Sequence, residues 1–273
     1  MRVLIACEYS GTVRDAFKKA GHHAVSCDML PTDMPGIHYQ GDVLNILDGW
    51  EPVIISCQCS LNENNICAIT NIDANKCNCI GPTQDGVEYK EVDGILLGRP
   101  KKNPHWDLMI AHPPCTYLSV AGAWAMYNKD GSVNTTRMKN QNEALDFVRT
   151  LMNAPIERIA IENPVSVISS KIRKPDQIVH PYHFGDRASK STCLWLKNLP
   201  KLKHTNVVEK GDFKEWVDKK TGKTKRQAAW IFDCLQKGKS QDDVRKLRSK
   251  TFQGIADAMA DQWGANTNSD HES

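Results

Sequence analysis

The chain has 273 residues, 40% hydrophobic and 25% charged, the balance of an ordinary globular protein with one elaborated α/β domain or two small ones. It contains no run of about 18 apolar residues and opens directly on Val3-Leu4-Ile5-Ala6, so neither a signal peptide nor a membrane span is expected, and the cytoplasm is the expected setting. The formal charge of +3 excludes little, but positions 201–250 hold 15 Lys and Arg against 7 Asp and Glu, a stretch suited to phosphates or to a merely solvated face.

In chain order, Val3 to Ala6 predicts a strand, Thr12 to Ala20 a helix closed by Gly21, and His23 to Cys27 a second strand ending on Asp28. Gly41-Asp42-Val43 follows a short extended piece. From about Glu51 to Pro104 the rhythm breaks into a segment rich in Asn, Cys and Gly, expected to be an inserted module. The alternation resumes with a strand over Asp107 to Ala111, a helix over Thr136 to Asn153 and a strand over Arg158 to Ile161. Gln177 to Phe184 and Cys193 to Leu196 are further strand candidates. An amphipathic helix is expected over Gln227 to Gln236, and a last helix over Phe252 to Trp263 precedes a polar tail expected to be disordered. Strands alternating with helices imply an α/β fold around a mostly parallel sheet. The expected division is a core of 1–50 and 105–200, a Cys-rich insert of 51–104, a small basic region of 201–250, a helix of 251–264 returning to the core, and a tail of 265–273.

Ten cysteines without a secretory leader suggest reduced thiols, metal ligands or catalysis. Five of them, Cys57, Cys59, Cys67, Cys77 and Cys79, supply enough thiolates for a tetrahedral zinc site; free thiols or disulfides are the alternatives.

Two strand ends carry chemistry. Asp107-Leu-Met-Ile-Ala-His-Pro-Pro-Cys115 runs an apolar strand into two prolines, which fix φ and present the thiol of Cys115 in one orientation. A buried structural cysteine is the plainer alternative. Arg158-Ile-Ala-Ile-Glu-Asn-Pro164 ends a second strand in a carboxylate, a general acid if burial raises its pKa and otherwise a helix cap. Thiolate addition at C6 of a pyrimidine, with a proton delivered to N3, would activate C5 towards a methyl sulfonium.

Pro113-Pro114-Cys115 with Ser119, followed by Glu162-Asn163, resembles the DNA (cytosine-5) methyltransferase family, in its compact, phage-like form. The resemblance covers roughly residues 1–48, 107–196 and the last helix. It implies a Rossmann-like S-adenosylmethionine-dependent methyltransferase fold with DNA as partner, in the host cytoplasm if phage-encoded, as a monomer or weak dimer. It makes Cys115 the nucleophile, Glu162 the N3 proton donor and Asn163 the residue holding the catalytic loop. Ala6, Glu8, Ser10, Gly11, Asp28, Asp42 and Pro113 would line the cofactor: Glu8 towards its ammonium, Asp28 towards ribose, Asp42 towards adenine. Where the family has Gln-x-Arg-x-Arg, this chain has Ala188, Lys190 and Thr192; Lys190 and Thr192, with Ser119, would touch substrate. Two alternatives stay open: methylation of an exocyclic amine, against which Cys115 stands where an aromatic residue is usual, and a zinc-stapled nucleic-acid-binding protein with an inactive core.

Overall fold

The computed structural model describes residues 1–53 and 85–265. The five cysteines of the expected zinc site and nearly all of the expected tail lie outside them. Its elements run β1 (Arg2–Ala6), α1 (Thr12–Lys19), β2 (His23–Asp28), β3 (His38–Gln40), β4 (Glu51–Pro52), β5 (Val87–Val92), β6 (Ile95–Pro100), β7 (Leu108–Ala111), α2 (Thr135–Met152), β8 (Arg158–Pro164) and α3 (Ile168–Lys171). There follow β9 (Gln177–Val179), β10 (Thr192–Lys197), β11 (Phe213–Val217), β12 (Thr224–Ala228), α4 (Ala229–Lys237), α5 (Gln241–Ser249) and α6 (Gln253–Gly264).

Seven strands form one sheet in the order β3-β2-β1-β7-β8-β10-β9. The first five are parallel neighbours; β10 runs antiparallel between β8 and β9. Strand alternation splits the core in two. Leu4, Ala6, Met109, Ala111, Ile159 and Ile161 face α2 through Leu145, Val148 and Leu151. Val3, Ile5, Leu108, Ile110 and Ala160 face α1 and α6 through Val13, Phe17, Ile255, Met259 and Trp263. Burial on both faces is why these strands are unbroken apolar runs. The chain builds outward from β1 to β3, then crosses back to β7, so strand order reverses between β1 and β7. In open α/β sheets ligands bind at the carboxyl ends of strands flanking such a switch point.

The insert expected over 51–104 is in part regular structure. β4, β6 and β5 make a small antiparallel sheet whose hairpin turns on Asp93 (φ 51°) and Gly94 (φ 78°), and Leu97 is fully buried in the core. Asp-Gly between alternating strands is the signal for such a turn; Glu and Lys at the outward positions masked the apolar face. The strand candidate over Gln177 to Phe184 ends at Val179 and passes into a 3₁₀ turn, Pro181–His183, because Pro181 cannot continue the ladder. The helix expected from Gln227 begins two residues later, since Gln227 and Ala228 pair with β11. α5 had no counterpart among the expected elements.

Candidate active site

Strand register assembles the site. Ala6 lies opposite Ala111, and Ala111 opposite Ile161, so the next residues on three neighbouring strands are Cys7, His112 and Glu162. The His112 amide continues the ladder by donating to the Ala6 carbonyl at 2.9 Å. Its ring Nδ1 lies 3.0 Å from Glu162 Oε2, with both side chains about one-tenth exposed.

Beyond His112 the two prolines lead out to Cys115, which is exposed. Buried Asn163 donates its Nδ2 to the Pro113 carbonyl at 2.8 Å, tying the turn to β8. The amides of Leu118 and Ser119 fold back on the Cys115 carbonyl. The amides of Val120 and Val167 then donate to the carbonyls of Val165 and Leu118, stitching the cysteine loop to the segment after Glu162. Cys115, Glu162, Asn163 and Pro113 are thus brought to one region by backbone. Ser119 acts locally, its hydroxyl capping the 3₁₀ turn Val120–Met126 by accepting from the Ala121 amide at 3.3 Å.

Antiparallel β10 brings up the basic side. Leu194 lies opposite Glu162 and Thr192 opposite Pro164, so Lys190 falls just past the end of β8. Thr192 is buried within the sheet, and Ala188 is buried in the segment that precedes β10. Burial, then the charge of Glu162, push the Cys115 thiol up from its ordinary pKa, while Lys190 and Arg248 pull it down. For Glu162 burial is the strongest single influence and favours the protonated form. The hydrogen bond from His112, with the charges of Lys190 and His112, outweighs it and holds the carboxyl below the ordinary carboxylate range. The condition stated for Glu162 as a general acid, a carboxyl raised by burial, is not met here, because His112 just past β7 is its partner.

The other half of the crevice follows β1 and β2. Glu8 is buried and accepts from the α1 amides of Val13 (2.7 Å) and Arg14 (3.2 Å), and from Ser10 Oγ (3.2 Å). Both its oxygens therefore serve the positive end of a helix, rather than facing outward towards an ammonium group. Gly11 sits at φ 75°, and a Cβ there would come within 2.6 Å of the Arg14 guanidinium, so this turn demands glycine on its own account. Asp28 accepts from the Leu30 amide, and burial raises its carboxyl; Asp42 caps the turn Val43–Asn45 through the Leu44 amide. Both carboxylates act on the Cys7 and Cys27 thiols, which burial chiefly raises, Cys7 to about 12. Asp28 and Asp42 therefore converge beside the ends of β1 and β2.

Sequence reasoning missed His112, Tyr9 and α5. His112 carried no spacing signal, because only register pairs it with Glu162. Tyr9 donates to the Lys246 carbonyl at 2.7 Å, and Lys190 donates to the Arg248 carbonyl at 3.2 Å. With the Lys250–Asp33 ion pair (2.7 Å), these contacts lay α5 across the mouth of the crevice. A cleft of about 590 Å³ lined by Arg149, Ile159, Arg173, Trp195 and Asn198 lies at the opposite end of the sheet from Cys115. Among the described residues no group of three His, Cys, Asp or Glu side chains is placed to hold a metal ion, and no helix is long and apolar enough to cross a membrane.

No family model matches this chain, and no curated protein does. Among solved structures, the chain is similar to a candidate DNA modification methyltransferase encoded within a prophage (E. coli), at 14% identity and a TM-score of 0.35. The match covers 72% of this chain and 46% of that one, so the chain spans under half the length of that protein.

Proposed function

We propose that this protein is an S-adenosylmethionine-dependent methyltransferase that methylates C5 of cytosine in DNA. The observation that carries the reading is the pairing at the ends of β7 and β8, beside the switch point. An exposed Cys115, held by Asn163 just beyond β7, stands beside a buried Glu162 on adjacent β8. A thiolate and a carboxyl on adjacent strand ends suit a flat ring lying between them. Cys115 Sγ would form a bond to C6; the C5=C6 pair would move to C4=C5, and the C4=N3 pair to N3, which takes a proton at the Glu162 side. Closing the site over a base removes water from Glu162 and favours its protonated form, the condition for that delivery.

The residues present fit the cofactor. Asp28 and Asp42 converge beside the β1 and β2 ends, acceptors suited to ribose hydroxyls and an exocyclic amine, with Ser10, Gly11 and Pro113 along the same edge. S-adenosylmethionine supplies an electrophilic methyl group when bound. Residues 201–250 would grip the DNA: the β11–β12 ribbon carries Lys214, Lys219, Lys220, Lys223, Lys225 and Arg226 with a partly exposed Trp216. A duplex substrate would need its cytosine flipped out of the stack.

The test is a duplex containing 5-fluorocytosine, incubated with protein and S-adenosylmethionine. A covalent protein–DNA species should form and should be absent with Cys115→Ser. Its absence from wild-type protein that demonstrably binds the cofactor refutes the reading.

A further inference from the structure

His112 stands outside the roles assigned so far, although it is the polar partner of Glu162. A histidine kept for structure is normally tied at both ring nitrogens, since a buried polar atom left unpaired forfeits its hydration with nothing in return. Here Nδ1 meets Glu162 Oε2 at 3.0 Å, while the buried Nε2 has no hydrogen-bond partner among the described residues. An ionised carboxylate only accepts, so Nδ1 carries the proton in this pair. The ring is held in place by the backbone: its own amide is in the β7–β1 ladder and Pro113 follows at once. A rigidly mounted donor aimed at one oxygen of a catalytic carboxyl fixes that group's plane.

We propose that His112 is a positioning residue for Glu162: its Nδ1–H holds Oε2, leaving Oε1 for N3 of the base. The proposal rests on the function proposed above.

Four proteins and two readouts test this. In His112→Phe, kcat for methyl transfer should drop roughly 10²-fold, the cost of a misplaced reacting group, with the KM for DNA little changed. His112→Asn, which keeps an N–H donor near the position of Nδ1, should recover most of that loss. Equal losses in both variants overturn the proposal. Independently of activity, ¹⁵N NMR of the wild-type imidazole should show the Nδ1–H tautomer, and Glu162→Gln should shift that signal; an Nε2–H tautomer overturns the proposal. If wild-type protein forms no 5-fluorocytosine adduct, the cytosine-5 reading fails while the tautomer measurement still decides the His112–Glu162 pairing.

Discussion

Arg14 offers a test of how the crevice wall is built. It lies on α1 and is fully buried. Its Nε donates to Asp15; one terminal nitrogen reaches the Ser26 and Thr32 hydroxyls, and the other reaches the Met34 and Pro35 carbonyls at 3.0 and 3.1 Å. The guanidinium thus folds residues 29–37, the loop following Asp28, against α1. In Arg14→Met the methylene stem still packs and the hydroxyls can turn elsewhere, since Ser26 already meets His38 and Thr32 already meets the Met34 carbonyl. The loss falls mainly on the Pro35 carbonyl, because the Met34 carbonyl keeps the Thr32 hydroxyl, at about 1–3 kcal/mol for an acceptor left unpaired. Met34 is half exposed, so water can reach part of this segment and the lower half of the range, about 1–2 kcal/mol, is expected. Arg14→Lys keeps the charge but not the fork, and should recover only part of it. Urea unfolding at constant m-value measures the difference, and S-adenosylmethionine affinity should weaken in parallel because Asp28 heads the released loop. A midpoint shift worth less than about 0.5 kcal/mol in Arg14→Met, below the smallest loss worked out above, would refute the view that this guanidinium organises the loop.

The thiol of Cys115 is raised by burial and by Glu162, so its thiolate appears at higher pH than for a free cysteine. The pH profile of its alkylation, followed by peptide mass mapping, should move to lower pH in Glu162→Gln and to higher pH in Lys190→Met; unchanged profiles would contradict the assigned electrostatics. Asn163→Ala removes the tie to Pro113 and leaves a buried carbonyl unpaired, at about 1–3 kcal/mol; amide exchange over 113–119 should speed up well beyond that elsewhere in the sheet. Gly254→Ala places a Cβ against the Phe184 carbonyl and Asp186, at the start of α6; thermal melting should show about 1–3 kcal/mol of destabilisation from overpacking. If the β11–β12 ribbon tracks phosphates, each of Lys219→Ala, Lys220→Ala and Lys223→Ala should lower the salt slope of DNA binding by about 1; an unchanged slope places the DNA elsewhere.

Much of this was legible in the chain alone. Val3 to Ala6, Leu108 to Ala111 and Arg158 to Ile161 are apolar runs that can only be buried strands, and intervening helices force them parallel. The identities of Cys115, Glu162 and Asn163, and their places at strand ends, are local facts, because a strand followed by proline ends where the proline stands. Tertiary structure decided the rest. Register, which no single strand encodes, set His112 beside Glu162, and that partner holds the buried carboxyl low. The buried fork of Arg14 and the return of α5 over Tyr9 and Lys190 join positions far apart in sequence, where spacing carries no information. The Cys115–Glu162 pair is therefore written in the sequence, and its charge state is written in the sheet: composition and periodicity fix which faces are buried, but only the packed strands fix which polar groups meet once water has been excluded.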